Sequence, residues 1–303
     1  MTITSDPMMI PTIRYGALPL EEIADREVSA TKVGAWSTSF TALYETDRGL
    51  IEQVLPPPLR ATDRPIVKVS IATVDLDRPG VPVFGAGTFG VQCTHGDLTG
   101  FYPLLMPMST EQSVIGGRET FGEPKKLAQI RLQRDGASLT GTVTRMGVTI
   151  IELKGTVTQE VDPPADAERT DFYLKFLRDP GGSGFDADPH LVHCHRQETS
   201  RKRELVAGQI ILRESQFDPV ADLPVRRILE MHLSERRSQQ RGEIVAVLDA
   251  KDVLPFVHQR YDDIHPAAGQ PPAAVASRRL AGAGDDGSTE AIGSADERSK
   301  ESS

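Results

Sequence analysis

Apolar and polar side chains alternate with period two through much of the middle of the chain. The alternation is clearest in "PIVKVSIATV" at residues 65–74 and in "SLTGTVTR" at 138–145. Such a pattern is typical of a strand with one buried face. The turn residues Met146 and Gly147 lead from the second run into "VTIIELKGTVTQ" at 148–159, so the pattern predicts a β-hairpin there.

Further strands outnumber the helices that the pattern predicts. They are expected at 98–106, 127–133, 172–177, 190–195, 204–214 and 242–248. Helices are predicted at 44–56, which ends at a proline run, and at 250–264, which carries an apolar stripe. Many strands and few helices predict a mainly β (α+β) fold, an antiparallel β-barrel or cone that encloses an apolar cavity and carries peripheral helices.

The two ends of the chain differ from its middle. Residues 1–30 are moderately polar and irregular and are expected to form an N-terminal arm, followed by one folded domain at 31–265. From residue 266 onwards the chain is rich in Ala, Gly, Ser and Pro and has almost no large apolar side chains. Such a segment cannot offset its ordering entropy, so 266–303 is predicted to be a disordered tail.

Charge and cysteine content exclude several classes of function. The 303 residues carry 34 basic and 43 acidic side chains, a formal net charge of −9, and no run of five Lys or Arg residues. Nucleic acids and membranes are therefore not expected as partners. Only Cys93 and Cys194 occur, and no apolar run approaches the ~20 residues of a membrane span. A cytoplasmic protein is expected.

A pair of lysines stands out in "GGRETFGEPKKLAQIRL" at residues 116–132. Lys125 and Lys126 lie between Pro124 and an apolar run. A lysine amine is nucleophilic only when neutral, and burial favours the neutral form. Successive side chains of a strand point to opposite faces, so only one of the two lysines would face an interior. The residues alone leave open that both amines lie on the surface.

The same stretch resembles the signature of acetoacetate decarboxylases. In that family a Gly-Arg-Glu opening precedes Pro-Lys-Lys, whose first lysine forms a Schiff base, and "GRETFGEPKKLA" follows this order. Four weaker segments are similar to the family in the same order along the chain, and together they cover about residues 37–264: "YETDRGLIEQVLPPPL" (44–59), "FYLKFLRD" (172–179), "FDPVADLPVRRIL" (217–229) and "YDDI" (261–264).

The resemblance implies roles for individual residues. It makes Lys125 the imine-forming lysine and Lys126 its electrostatic neighbour, a mechanism known for this family. Arg118 and Glu119 also match the motif, and we interpret them as a structural brace for the loop. The resemblance further implies a keto acid or other small carbonyl substrate, assembly into a homo-oligomer, and chemistry that needs no cofactor and no metal.

Three positions depart from the family pattern. The family's decarboxylases use an arginine near the first strand and two glutamates in the cavity. Alignment places Ser37 at the arginine, Ser70 at one glutamate, and Ala86 or Gly87 at the other. Imine formation would survive these changes, but the handling of a small β-keto acid carboxylate would suffer.

Glu123 is a candidate proton relay. In an extended segment it lies on the same face as Lys125, two residues away, within reach of the forming imine. The alternative is a solvated loop acid that pairs with Lys126.

Two other motifs are weaker indications of a functional site. "HLVHCHR" offers His190, His193, Cys194 and His195, of which two histidines share a face, but zinc normally takes three or four protein ligands, so we favour a surface or interface role. "GAGTFG" at 85–90 lacks the βαβ context of a dinucleotide site and is expected to be a loop at the cavity mouth.

These observations favour a carbon–carbon lyase that decarboxylates a β-keto acid through an imine on Lys125. One alternative is a Schiff-base aldolase or dehydratase that acts on a pyruvate-like or other carbonyl compound. The other is a non-catalytic barrel that binds an apolar small molecule and carries an ordinary, protonated Lys125.

Overall fold

The structure, a computed structural model, describes residues 15–31, 35–76 and 81–262. The first 14 residues of the predicted arm and the predicted tail at 266–303 lie outside this range. None of the helices within it is long and apolar enough to cross a membrane.

The described residues form four α-helices and twelve strands. The helices are α1 (Leu20–Thr31), α2 (Arg48–Val54), α3 (Glu111–Phe121) and α4 (Ala250–Val253). The strands are β1 (Ala35–Glu45), β2 (Arg60–Ala61), β3 (Ile66–Asp75), β4 (Phe84–His95), β5 (Leu98–Met108), β6 (Lys125–Leu127), β7 (Gln129–Asp135), β8 (Ser138–Arg145), β9 (Val148–Val161), β10 (Ala167–Lys175), β11 (His190–Leu212) and β12 (Arg227–Val247). Short 3-10 helices occupy Val220–Asp222 and Leu254–Arg260.

Seven of the strands close into a ring. The order β10-β5-β4-β3-β1-β12-β11 returns to β10 through the antiparallel β10–β11 pair. Its other pairs are antiparallel except β10–β5, which is parallel and is joined through Asp171 and Phe101. The short strand β6 pairs in parallel with β5. This pairing brings the lysine motif to the ring, because β6 begins at Lys125.

Strands β9, β8 and β7 continue the sheet from β11 and fold back over β3 and β4. Glycines permit the close approach: a Cβ on Gly141 would lie 3.1 Å from Ile71 Cδ1, and one on Gly85 would lie 2.7 Å from Ile130 Cβ. The main hydrophobic core lies in this region and unites β1, β3 and β4 with β8 and β9 through Phe40, Val69, Ile71, Val143 and Ile151. One wall of the ring is thereby held rigid.

The mainly β fold with peripheral helices is confirmed, and several boundaries differ from those predicted. The segments 190–195 and 204–214 are parts of one 23-residue strand, β11. The predicted helix at 44–56 begins only at Arg48, because Tyr44 and Glu45 complete β1. The "GAGTFG" segment at 85–90 is not a loop but the first half of β4.

The remaining differences concern the ends of the described chain. Helix α1 occupies Leu20–Thr31 in a segment expected to be irregular. The predicted helix at 250–264 is α4 followed by a 3-10 helix from Leu254 to Arg260. Pro255 explains the change, since a proline lacks the backbone N–H that would continue an α-helix.

Candidate active site

The ring encloses a cavity of about 400 Å³. Apolar side chains from β3, β4 and β5 form one part of its wall, among them Val74, Phe84, Met106 and Met108. The predicted cavity was apolar around Lys125 and its candidate partner Glu123, but this one contains seven ionisable side chains: Lys68, Glu123, Lys125, Asp171, Arg196, Glu198 and Arg236. Four are basic and three acidic, so the fully ionised cavity carries one excess positive charge.

Lys125 reaches this cavity from the first position of β6. Helix α3 ends at Gly122, whose φ of +79° turns the chain sharply, and Pro124 is buried just before the lysine. Arg118 Nη1 donates a hydrogen bond to the Lys125 carbonyl oxygen at 3.0 Å, which agrees with the predicted brace. Glu119 is exposed on α3. The Lys125 side chain is only 13% exposed.

Glu123 and Lys125 lie together, as the i, i+2 spacing predicts. Lys125 Nζ is 2.7 Å from Glu123 Oε2, and the glutamate side chain is 1% exposed. The contact is an ion pair rather than a well-aligned hydrogen bond, since buried Oε2 has no hydrogen-bond partner among the described residues. A lone pair of Oε2 therefore remains available to accept a proton beside the amine.

Gly117 provides the space for both reactive groups. A Cβ at this position of α3 would lie 2.0 Å from Glu123 Oε2 and 2.5 Å from Lys125 Nζ. The neighbouring Gly116 faces open space, with nothing within 4 Å of the same hypothetical atom. Helix α3 thus presents backbone without a side chain to Glu123 and Lys125. Position 116 has room for a Cβ, and position 117 does not.

Lys126 points away from Lys125, as strand alternation predicts, and takes no part in lining the cavity. Its amine lies 3.1 Å from Asp218 Oδ1 and 3.0 Å from Asp262 Oδ1. Arg145 contacts the same two carboxylates at 2.7 Å each. These four residues form an ion cluster in which Lys126, Arg145 and Asp218 are buried and Asp262 is exposed, and it ties β6 and β8 to the segments near Asp218 and Asp262.

A chain of alternating charges leads from Lys125 across the cavity. Glu123 Oε1 accepts a hydrogen bond from Arg196 Nη2 at 3.1 Å, and Arg196 Nε donates to Asp171 Oδ2 at 2.8 Å. Lys68 Nζ lies 3.9 Å from Asp171 Oδ1. The phenol of Tyr173 accepts from Arg196 Nη2 at 3.0 Å. Both ends of this chain are lysine amines, Lys125 and Lys68.

Burial and charge set the protonation of this chain. Burial is the main cause that lowers the pKa of Lys68 below its usual value, against the opposing attraction of Asp171. Burial alone would raise the pKa of Asp171, but Lys68 and Arg196 outweigh it and hold that pKa below its usual range. Burial also raises the pKa of the Tyr173 phenol. The carboxylate of Asp171 is therefore ionised at neutral pH.

A second charged pair lines the same cavity. Arg236 Nη1 on β12 donates to Glu198 Oε1 on β11 at 3.0 Å. Burial lowers the pKa of Arg236, although attraction to Glu198 opposes this. A guanidinium held in such a partly enclosed space favours a planar anion such as a carboxylate.

The three positions that depart from the family pattern also lie at the cavity. Ser37 and Ser70 contribute hydroxyl groups, and Ser70 Oγ lies 3.1 Å from Thr41 Oγ1. Ala86 and Gly87 both line the cavity, but a Cβ on Gly87 would lie 2.7 Å from Pro107 Cγ. A side chain at position 87 would therefore require Pro107 to move.

Five of the ionisable cavity residues were missed from the sequence: Lys68, Asp171, Arg196, Glu198 and Arg236. Lys68 and Ser70 lie on one face of β3 by simple alternation, a signal that was present at 65–74. The other four come from strands β10, β11 and β12 and meet only through the pairing that closes the ring.

The fold and the cavity define a mainly β protein in which a ring of strands surrounds a buried lysine paired with a carboxylate. The profile of the acetoacetate decarboxylase (ADC) family matches residues 19–248. The chain therefore belongs to the acetoacetate decarboxylase family.

Individual relatives agree with this assignment. The acetoacetate decarboxylase of Burkholderia mallei (strain NCTC 10229) is 29% identical over 208 residues, which cover 67% of this chain and 83% of the relative. The crystal structure of acetoacetate decarboxylase from Legionella pneumophila subsp. pneumophila str. Philadelphia 1 has a TM-score of 0.63 at 19% identity and covers 81% of this chain and 99% of that one. The enduracididine biosynthesis enzyme MppR complexed with pyruvate has a TM-score of 0.61 at 15% identity, covering 71% and 90%.

Proposed function

We propose that this protein is a Schiff-base lyase that decarboxylates a β-keto acid, with Lys125 as its nucleophile. The observation that supports this most directly is the position of Lys125 Nζ, in the cavity and 2.7 Å from Glu123 Oε2. A half-buried amine next to a carboxylate suits imine formation, because the amine must first lose a proton and the carboxylate can accept it.

The proposed reaction uses two groups of this chain. Glu123 takes a proton from the Lys125 ammonium, and the neutral amine attacks the keto carbon of the substrate. Loss of water gives a protonated imine. The bond to the carboxylate carbon then breaks, CO2 leaves, and the bond's electron pair enters the imine to form an enamine. Protonation of the enamine carbon and hydrolysis release the ketone and return the free amine of Lys125.

The charged wall of the cavity suggests how the substrate is held. The alignment puts Ser37, Ser70 and Ala86 or Gly87 where the family's decarboxylases have charged residues, whereas Lys68 on β3 and Arg236 on β12 supply positive charge to the cavity. Arg196 is engaged by two carboxylates, Glu123 and Asp171, whereas Arg236 pairs with only Glu198 among the cavity carboxylates, through Nη1. We therefore assign Arg236 as the group that binds a substrate carboxylate, and we expect substrates other than acetoacetate itself.

A second candidate is a Schiff-base aldolase or dehydratase acting on a pyruvate-like carbonyl compound. The substituted charged positions favour it, because they change carboxylate handling while leaving the imine-forming pair intact. The similarity in fold to MppR, solved in complex with pyruvate, is compatible with it. Both candidates share the imine on Lys125 and differ in the bond that breaks afterwards.

A homo-oligomeric assembly remains a prediction.

Borohydride trapping tests the shared step. The full chain is incubated with a panel of β-keto acids, pyruvate and aldehydes, reduced, digested and analysed by peptide mass spectrometry. We expect an adduct on Lys125 with at least one compound and none in the Lys125→Met variant. An adduct on Lys68 or Lys126 instead, or no adduct with any compound, would refute the proposal. The compounds that form adducts are then assayed for CO2 release without borohydride. Release of CO2 separates the decarboxylase from the second candidate.

A further inference from the structure

Strand β11 carries two different chemistries on its two faces. Cys194 packs with Met106 and Met108, and Arg196 lines the cavity. His193 and His195 alternate with them and lie on the opposite face of the strand. Neither histidine lines the cavity described above, so any role they have is separate from the imine chemistry.

The pairing of β11 with β12 adds a carboxylate to the two histidines. Glu243 lies directly opposite His193 in the antiparallel register. One ligand atom from each of His193, His195 and Glu243 can be chosen so that all three lie within 4.8 Å of one another. The sequence motif offered only two ligands on one face, and the third comes from a residue 50 positions away in the chain.

Both imidazole rings are anchored through one nitrogen. His193 Nε2 lies 2.9 Å from His95 Nδ1 at the end of β4, and His195 Nδ1 lies 3.1 Å from the Thr170 hydroxyl on β10. Histidines that bind metals characteristically have their second nitrogen held in this way, because it fixes the tautomer and the orientation of the ring. The rings are therefore oriented by residues from two other strands.

Burial differs across the cluster in a way that suits an ion with access to solvent. His193 is 5% exposed. The His195 side chain is 12% exposed and that of Glu243 is 47% exposed. The more exposed carboxylate thus lies on the solvent side of the two imidazoles. His195 Nε2 lies 3.6 Å from Glu243 Oε1, close to the separation of roughly 3.3 Å between two ligands of a tetrahedral zinc ion.

We propose that His193, His195 and Glu243 form a site for a divalent transition metal ion of the zinc type, with a fourth position open to water. Two histidines and a glutamate with one open position is a recurrent zinc ligand set. His95 and Thr170 are positioning residues that hold the two rings. The site links β11 to β12 and, through these two residues, to β4 and β10. It does not depend on the proposed Schiff-base function.

Metal titration of the full chain tests the site. The protein is freed of any histidine tag and treated with a chelator, then titrated with Zn²⁺ by calorimetry and with Co²⁺ by visible absorption. We expect one ion per chain and a Co²⁺ spectrum of tetrahedral type. His193→Ala and Glu243→Gln should each weaken Zn²⁺ binding by at least about 10-fold, comparable to or beyond the effect of losing an outer-shell partner.

The control and the folding check use the same chain. His258 is exposed in the 3-10 helix that follows α4 and lines a different cavity together with Val54 and Asp218, so His258→Ala should bind Zn²⁺ as the unaltered protein does. Glu243→Gln changes a half-exposed side chain, and its melting temperature without metal verifies that it folds. Absence of Zn²⁺ binding, or equal binding by Glu243→Gln and the unaltered protein, would overturn the proposal.

Discussion

Gly117 lies against the amine of Lys125, so closely that one added methyl group would come within 2.5 Å of Nζ. The contact crosses from helix α3 to strand β6, and it makes a residue with no side chain part of the site's geometry. The same methyl group would come within 2.0 Å of Glu123 Oε2. The helix and the ion pair must therefore be considered as one unit.

Gly117→Ala should reduce reactivity more than stability. Alanine favours a helix over glycine by roughly 0.5–1 kcal/mol, and the ends of the two flexible side chains can move aside. They cannot do so without losing their mutual geometry, and a displacement of about 1 Å can cost on the order of 100-fold in rate. We expect imine trapping to slow by about that factor while the melting temperature stays within a few degrees.

Gly116→Ala is the matched control for this experiment. It makes the same change one residue earlier, where the added atom meets nothing within 4 Å. Its trapping rate should equal that of the unaltered protein. If the two variants trap at the same rate, Gly117 does not shape the reactive pair.

The two lysines of the motif should separate chemistry from stability. Lys126→Met removes one cation from the ion cluster with Asp218 and Asp262, and breaking a buried ion pair costs about 3–5 kcal/mol in the free energy of unfolding. Lys125→Met should abolish trapping and change stability much less. Urea unfolding and borohydride trapping measure the two effects. Loss of trapping in folded Lys126→Met protein would instead give Lys126 a part in the reaction.

Acetoacetate is expected to be a poor substrate. The alignment proposed from the sequence puts Ser37, Ser70 and Ala86 or Gly87 at three charged positions of the family's decarboxylases, and each charged hydrogen bond lost is worth about 1.5–3 kcal/mol. Two or three such losses lower turnover by several orders of magnitude. Steady-state release of CO2 from acetoacetate measures this turnover. A turnover of ~1–1000 per second, the ordinary enzymatic range, would show that other cavity residues replace those charges.

Arg236→Gln should weaken substrate binding with little effect on imine formation. Its guanidinium lines the cavity, and a charged hydrogen bond of about 1.5–3 kcal/mol corresponds to a rise in KM of roughly 10- to 150-fold on the best keto acid of the panel. Arg237→Gln is the control, since this neighbour on β12 is exposed and points to the other face. Equal KM values for the two variants would exclude Arg236 as the carboxylate-binding group.

Asp171 should make stability depend on pH in the acid range. Lys68 and Arg196 overcome the opposing effect of burial and hold its pKa below the ordinary value of 3.8. The ionised carboxylate therefore stabilises the fold fully above about pH 3.8, and this contribution is lost as the pH falls through the lowered pKa. The difference in unfolding free energy between the unaltered protein and Asp171→Asn should be largest near neutral pH and shrink below pH 3.8. A difference that stays constant from pH 6 to pH 3 in urea titrations would contradict it.

The sequence predicted the lysine pair well because its determinants are local. Pro124, the alternation of Lys125 and Lys126, and the spacing from Glu123 to Lys125 are all properties of four consecutive residues. The structure places these side chains as alternation requires, with Lys125 toward the cavity and Lys126 toward Asp218.

The charged cavity residues of β11 were not predicted, because this part of the strand has no hydrophobic pattern in the sequence. Residues 195–204 of β11 read "HRQETSRKRE", in which the cavity face carries Arg196 and Glu198 and the other face is also polar. With no apolar period, the segment resembled a break between two strands. Arg196 meets Asp171 and Glu123, which are 25 and 73 positions away in the chain, and only strand pairing determines that contact.

The alternation of β11 makes residues 193–196 sensitive to insertions and deletions in the gene. Four successive codons supply the proposed metal ligands His193 and His195 to one face, and Cys194 of the core and Arg196 of the cavity to the other. Inserting or deleting one residue just before His193 would shift the strand by one and exchange the two faces. The imidazoles would then enter the cavity, and Arg196 would lose contact with Glu123. A change of one residue in the length of this part of the gene would therefore alter both faces at once, whereas a substitution of the half-exposed Glu243 leaves the Lys125–Glu123 pair untouched.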